Sequence, residues 1–138
     1  MKPARRMAAR SGAALLAALA VSWTLASVAS TDDWVELEVR ATAYNSLASQ
    51  TNQHPRITAW GDVLKPGMKA IAVSRDLVRM GLRHGVEVEI SGLPGVYVVR
   101  DKMAKRWQKK IDIYMGEDRR AARKWGKRNV TIRWRRPE

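Results

Sequence analysis

The stretch Val96–Gly116 has the sequence VYVVRDKMAKRWQKKIDIYMG, in which a basic loop separates two apolar, β-rich runs. The first run leads to Asp101, and the second carries Asp112 between two isoleucines. Because side chains alternate between the two faces of a strand, Asp112 is expected to point away from those isoleucines. If the runs return past each other, both aspartates lie at the same end of a sheet, where paired carboxylates form a candidate acid/base site. The alternative is that Asp101 is a turn aspartate and Asp112 a solvated strand position paired with a lysine.

Four more strands and two helices are predicted around the strands Val96–Val99 and Ile111–Tyr114. The further strands are Val35–Tyr44, Ala70–Val73, Val86–Ile90 and Asn129–Trp134, and the helices are Arg75–His84 and Gly116–Trp125. Ser74 is expected to cap the first helix with its hydroxyl, and Gly85 is expected to end that helix. Asp118 lies near the N-terminus of the second helix, where the helix dipole favours a negative charge. The polar segment Asn45–Arg56 predicts a long loop. Six short strands separated by turns favour a mainly β fold, a closed or nearly closed barrel with two short helices over its openings.

The composition excludes several kinds of chemistry. The chain of 138 residues suits one domain and contains no cysteine, which excludes disulfides, thiolate metal sites and a cysteine nucleophile. The two histidines, His54 and His84, lie far apart in the sequence without a carboxylate at metal-ligand spacing, so no metal site is predicted. His54 is interpreted as an exposed loop residue and His84 as a helix-end residue that favours the helix dipole.

Residues 1–29 have the pattern of a secretory signal peptide. Positive charge precedes the apolar segment Ala13–Val28, and small residues at Ser27–Ala29 suit cleavage before Ser30. The alternative is an uncleaved membrane anchor, because the apolar segment is near the lower length limit for a membrane span. In both cases the domain is expected to be exported, to the periplasm or the cell envelope. Residues 30–38 are interpreted as a linker and residues 39–138 as the domain.

The chain is strongly basic, with 26 basic and 13 acidic residues and a net charge of +13. Loss of residues 1–29 would leave a net charge of +9, from 22 basic and 13 acidic residues. An exported basic domain is expected to favour anionic partners, such as acidic envelope polymers, and lipid contact is expected if the leader stays uncleaved. The alternative is a solvated basic surface without a dedicated partner. No nucleic-acid-binding motif stands out, and nucleic acid is not predicted as a partner.

An ordered set of short motifs resembles the 3D domain, a family named for three aspartates that includes the C-terminal part of the MltA-type lytic transglycosylases. The motifs are ATAY (Ala41–Tyr44), TAWG (Thr58–Gly61), AVS (Ala72–Ser74), VVRD (Val98–Asp101), KIDIYMG (Lys110–Gly116) and AARKWGKRNVTIRW (Ala121–Trp134). Their order and the spacing from Asp101 to Asp112 carry the resemblance, which extends over roughly Val39–Trp134.

The resemblance implies a six-stranded double-psi β-barrel and an exported peptidoglycan lytic transglycosylase, a glycan lyase. Such an enzyme cleaves the bond between N-acetylmuramic acid (MurNAc) and N-acetylglucosamine (GlcNAc), forms 1,6-anhydroMurNAc and needs no metal or cofactor. Asp112 falls on the family's general acid/base, and Asp101 falls on a second family aspartate. The segment beside the family's glycan groove is matched by Thr58 and Gly61, and the family's tyrosine by Tyr44. The implied partner is the glycan strand of peptidoglycan, and a monomer is expected.

Loop aromatics and neighbouring charges complete the candidate site. Trp107 and Trp60 offer flat apolar surfaces for sugar rings, or else pack locally. For an acid role the pKa of Asp112 must rise above its ordinary value. Burial and the charge of Asp101 are expected to raise it, while a close Lys110 would lower it, and the sequence leaves this balance open.

Two positions depart from the family pattern. Ser74 stands where many members carry the first aspartate, and Lys102–Trp107 replaces a glycine-rich stretch. Glycines let a sugar approach the backbone closely, whereas bulky basic and aromatic residues would line or narrow the groove. These departures favour the alternative function, a non-catalytic module that binds cell-wall glycan.

Overall fold

The computed structural model describes residues 33–46 and 57–138. Those residues form six strands and two helices: β1 (Trp34–Tyr44), β2 (Ala70–Val73), α1 (Arg75–Arg79), β3 (Glu87–Ile90), β4 (Tyr97–Lys102), β5 (Lys110–Tyr114), α2 (Arg119–Trp125) and β6 (Arg128–Arg135). The predicted signal peptide, and His54 with most of its predicted loop, lie outside the described residues.

The six strands close into a barrel in the order β1-β5-β2-β4-β3-β6. Two neighbouring pairs, β1–β5 and β2–β4, are parallel, and the other four pairs are antiparallel. Exchanging β1, β2 and β3 with β4, β5 and β6 leaves this circular order unchanged, so the two halves of the chain are related by a pseudo-twofold arrangement. The prediction of a mainly β, six-stranded double-psi barrel with two short helices is confirmed.

Alternating apolar residues fill the interior of the barrel. Ile111 and Ile113 of β5 are 0% and 1% exposed, whereas Asp112 between them lies on the outer face. The alternating apolar residues Val130, Ile132 and Trp134 of β6 are also buried, and Trp134 is 0% exposed. This period-two burial holds the register of β5 and β6, because a slip by one residue would move their apolar residues to the solvent.

The second helix begins at Arg119, three residues later than predicted, and ends at Trp125 as predicted. Asp118 is the N-cap of α2, and its Oδ1 accepts a hydrogen bond of 2.9 Å from the N–H of Ala121. Gly126 follows the helix with a φ of 66°, a conformation that glycine adopts at low cost. The helix packs against β1 and covers one part of the barrel.

The first helix is shorter than predicted, because α1 ends at Arg79 and not near His84. The chain turns at Gly81, whose φ of 107° cannot continue a right-handed helix. The predictions that Gly85 ends the helix and that His84 lies at its end are therefore wrong. The prediction that Ser74 caps α1 through its hydroxyl is also wrong: Ser74 occupies the N-cap position but makes no side-chain cap bond.

Candidate functional site

The strand order brings Asp101 and Asp112 to the same region of the barrel surface, but through a third strand. The sequence alone suggested that the strands of the two aspartates would lie side by side, and in the structure β2 lies between β4 and β5. Ala72 of β2 pairs with Asp101 on one side and with Asp112 on the other. The backbones that carry the carboxyl groups are therefore about 10 Å apart, two strand spacings. A small alanine between them leaves their carboxyl groups free of a bulky intervening side chain.

A β-bulge in β4 decides which face Asp101 occupies. In the pairing of β2 with β4, Ile71 is opposite Val99 but Ala72 is opposite Asp101, so Arg100 is the extra residue. Ile71 and Val99 are both 0% exposed and face the core. Without the bulge, Asp101 would follow Val99 to the interior, two residues along the strand. The bulge instead aligns Asp101 with Ala72 and with the outward Asp112.

Thr42 of β1 is a hydrogen-bond partner of Asp112 that no local sequence pattern indicated. The two residues are paired across β1 and β5, and the Thr42 hydroxyl donates a hydrogen bond of 3.0 Å to Asp112 Oδ1. Thr42, Asp112, Ala72 and Asp101 thus form one row across four adjacent strands. The motif ATAY contains Thr42, but its partner is 70 residues away in the sequence. Only the register of β1 against β5 identifies this contact.

Asp112 has a raised pKa. The largest cause is burial, which disfavours the carboxylate, and the charge of Asp101 acts in the same direction. The hydrogen bond from Thr42 and the positive charge of Lys110 favour the carboxylate and oppose the rise. Burial prevails in this balance, which the sequence had left open. A carboxyl group of this kind holds its proton to a higher pH than an ordinary aspartate, as a general acid requires.

Asp101 holds a loop in place. Its Oδ1 accepts hydrogen bonds of 2.9 Å from the N–H of Lys102 and from the N–H of Ala59. Ala59 belongs to a tight turn closed by a β-bridge between Ile57 and Val63. Asp101 therefore fixes this turn beside Asp112 and contributes its charge there, rather than acting as the turn aspartate of its own strand.

The turn carries two of the predicted groove residues. The Thr58 hydroxyl accepts a hydrogen bond of 3.0 Å from the N–H of Asp62, and Thr58 is buried. Gly61 is exposed and has a φ of 86°, and a Cβ at this position would meet no atom within 4 Å. The side chain of Thr58 thus stabilises the turn, while Gly61 leaves backbone accessible at its tip.

Trp60 and His84 meet beside the same turn. Their ring centroids are 5.2 Å apart, and the His84 Nε2 contacts the carboxylate of Asp62. The ammonium group of Lys102 lies 5.6 Å from the centre of the Trp60 ring. His84 therefore stabilises the turn through its contacts with Trp60 and Asp62. These residues are distant in the sequence, and no local pattern indicated the contact.

Tyr44 supplies a neutral hydroxyl near both carboxyl groups. Its ring packs against Tyr114 at a centroid distance of 5.5 Å. The hydroxyl is buried and has no hydrogen-bond partner among the described residues. Burial, followed by the charges of Asp101 and Asp112, raises the pKa of Tyr44 well above its ordinary value. The group therefore remains a protonated, uncharged hydroxyl beside the two carboxyl groups.

Trp107 lies in the basic loop and is already in contact with cations. The Lys110 ammonium is 3.6 Å from the centre of the Trp107 ring, and the Arg106 guanidinium is 5.0 Å from it. The ring is half-buried. The ring therefore presents a combined aromatic and cationic surface rather than a bare platform for a sugar.

Ser74, which replaces a family aspartate, joins α1 to the start of β5. It is fully buried, and its hydroxyl accepts a hydrogen bond of 3.0 Å from the N–H of Lys110. The same hydroxyl bonds to Asp76, whose Oδ2 accepts the N–H of Lys109 at 2.9 Å. Burial acts to raise the pKa of Asp76, but these hydrogen bonds outweigh it and lower the pKa. Ser74 thus fixes the backbone two residues before Asp112.

The described residues contain neither a metal-binding cluster nor a membrane-spanning helix. Within residues 33–46 and 57–138, no three His, Asp or Glu side chains cluster in a way that could hold a metal ion. No helix in those ranges has the length and apolar character needed to cross a membrane. Among known proteins, no family model matches the chain, and no curated protein has a matching sequence.

Proposed function

We propose that this protein is an exported peptidoglycan lytic transglycosylase that cleaves the MurNAc–GlcNAc bond and forms 1,6-anhydroMurNAc. The observation that carries the proposal is the environment of Asp112: an outward carboxyl group, partly buried, with a raised pKa and a second carboxylate nearby. The order of motifs that resembles the 3D domain supports the choice of glycan as substrate.

In the proposed reaction, protonated Asp112 donates its proton to the glycosidic oxygen while the bond from that oxygen to C1 of MurNAc breaks. The C6 hydroxyl of the same MurNAc attacks C1, and the Asp112 carboxylate takes the proton that this hydroxyl releases. The product is the 1,6-anhydro ring, and Asp112 ends protonated, as it began. No water enters, so a second carboxylate that positions water, as in glycosidases, is not required.

The neighbours of Asp112 suit both stages of this cycle. Burial favours the protonated acid with which the reaction starts. The Thr42 hydroxyl and the Lys110 charge then stabilise the carboxylate that exists between the two proton transfers. Asp101 holds the turn that carries Gly61. In this proposal Asp112 is the catalytic residue, and Thr42 and Asp101 position the site.

A second candidate function is a glycan-binding module without activity. Two observations favour it: Ser74 has a structural role where a family aspartate is expected, and basic and aromatic side chains occupy the loop where glycines are expected. This module would use the same outer face of the barrel, and it would bind glycan strands without cleaving them.

Mass spectrometry of the soluble products from murein sacculi distinguishes the two functions. The purified full-length protein is compared with Asp112→Asn, which keeps an oxygen for Thr42 but cannot donate an acid proton. Asp118→Asn is the matched control, since it removes a carboxylate from a helix cap and leaves a good N-cap residue. Anhydromuramyl products from the wild type and the control, but not from Asp112→Asn, would support the proposal. Reducing-end products would indicate hydrolysis instead, and pelleting on sacculi without any product would support the binding module.

A further inference from the structure

We propose that residues 102–110, here called the basic loop, bind the carboxylate groups of muramyl substituents and so select acidic glycan strands over neutral ones. This inference rests on the proposed function, because it names the substrate class for the same site. It concerns binding rather than bond cleavage, and its test is independent of turnover.

The basic loop has a high density of positive charge, and none of its side chains forms an ion pair with a described acid. Five of its nine residues are cationic and none is acidic: Lys102, Lys105, Arg106, Lys109 and Lys110. The ion pairs of His84 with Asp62 and of Arg133 with Glu89 both lie outside the loop. A cluster of cations without ion-pair partners attracts anionic ligands and orients them as they arrive.

Hydrogen bonds hold both ends of the basic loop against the candidate site. At one end, the N–H of Met103 donates to Val73 O at 2.9 Å. At the other end, the N–H of Lys109 donates to Asp76 Oδ2 at 2.9 Å, and Lys109 O accepts from the N–H of Arg40 at 3.0 Å. These anchors hold both ends of the loop against elements around β5, the strand that carries Asp112, and the charge of Lys110 acts on that residue.

Aromatic rings orient three of the cations without neutralising them. Lys110 and Arg106 lie over Trp107, and Lys102 lies over Trp60. Cation–π contacts of this kind hold an ammonium or guanidinium group by the quadrupole of the ring and leave its charge available to an anion. The basic loop and the turn at Trp60 therefore present aromatic edges and oriented positive charge to a ligand at the candidate site.

The ligand that fits this surface carries sugar rings and carboxylates on the same chain. MurNAc has a lactyl carboxyl group, either free or extended by an acidic peptide, on every second sugar. A neutral polymer of GlcNAc has none, and would leave the five cations without a partner. Phosphate-rich polymers carry the charge but lack the acid substituent on the sugar that is cleaved.

Binding of soluble glycans to the full-length Asp112→Asn variant tests the inference, since this variant is not expected to consume its ligand. Tryptophan fluorescence follows the titration with three oligosaccharides of equal length: a peptide-bearing muramyl strand, the same strand with free lactyl carboxyls, and chitin oligosaccharide. We expect both acidic ligands to bind about tenfold more tightly than the neutral one, the combined effect of two or three exposed charge pairs. The difference should vanish at roughly 1 M salt, where the Debye length is about 3 Å.

A charge-matched pair of variants locates the effect. Lys105→Gln with Arg106→Gln should lose most of the preference for acidic glycan and keep the affinity for chitin oligosaccharide. Arg120→Gln with Arg123→Gln removes the same charge from exposed positions of α2 and should keep the preference. Equal affinity for acidic and neutral glycans would overturn the inference, and so would an equal loss in both double variants. A wild-type protein that releases no anhydromuramyl product would count against the proposed activity and not against this binding preference.

Discussion

Replacing Asp112 by asparagine should make the protein more stable at neutral pH while it removes the acid. Burial raises the pKa of Asp112 above its ordinary value, so the folded state binds this proton more tightly than the unfolded state. Below the unfolded pKa both states are protonated, and the group causes no penalty. As the pH rises from the unfolded to the folded pKa, the unfolded chain releases the proton first, and the free energy of unfolding decreases. Asparagine cannot ionise and avoids this loss.

The size of the effect follows from the same linkage. Each pH unit between the unfolded and the folded pKa lowers the free energy of unfolding by about 1.4 kcal/mol. The hydrogen bond from Thr42 does not offset the gain, because the asparagine oxygen can accept it in the same position. For a domain of this size, each 1 kcal/mol changes the melting temperature by roughly 4–8 °C. A change of a few degrees in the melting temperature is therefore measurable in an ordinary thermal melt.

Urea unfolding of the wild type and of Asp112→Asn, at about pH 3.5 and about pH 7, measures the effect on either side of the ordinary aspartate pKa. We expect the variant to gain stability over the wild type at the higher pH and to lose most of that gain at the lower pH. Asp118→Asn, whose carboxylate caps an exposed helix end, should show no such gain. A variant that is no more stable than the wild type at about pH 7, or equally more stable at both pH values, would refute the argument that burial dominates at Asp112.

Three further substitutions test the contacts around the site. Thr42→Val removes the donor to Asp112, should raise the pKa of that carboxyl group, and should move the alkaline limb of the pH–rate profile for murein cleavage to higher pH. Ser74→Ala leaves the buried N–H of Lys110 without its acceptor and should cost about 1–3 kcal/mol in urea unfolding. Gly81→Ala places a Cβ 2.9 Å from a proline side-chain carbon at a φ of 107°, and should cost at least about 1 kcal/mol in a thermal melt.

Matched variants separate these effects from general damage. Thr42→Ser keeps the hydroxyl and should keep the pH–rate profile close to that of the wild type. Gly67→Ala has a similar φ of 91° but no atom within 4 Å, so it should cost less than Gly81→Ala. An unchanged profile in Thr42→Val, or equal losses at the two glycines, would contradict the roles assigned to the hydroxyl and to the close contact.

The strands were predictable because their signals are local. The isoleucines on either side of Asp112 indicate the buried face of β5, and the structure places them in the core and Asp112 outside it. Alternating apolar residues likewise form the buried face of β6 down to Trp134, within the predicted strand Asn129–Trp134. Errors appeared where a distant contact competes with a local preference. Ser74 has the right position for a helix cap, but the N–H of Lys110 takes its hydroxyl.

The sequence by itself determined the number of strands, the buried face of β5 and the outward position of Asp112. These properties depend on a period of two along one strand, which neighbouring residues are enough to establish. Only the tertiary structure decided that β2 separates β4 from β5, that a bulge at Arg100 turns Asp101 outward, and that Thr42 reaches Asp112. Strand order and register arise from pairings between residues far apart in the chain, and a bulge reverses the very alternation on which a sequence argument depends. The same is true of the pKa of Asp112, because burial and surrounding charge exist only once the strands have assembled.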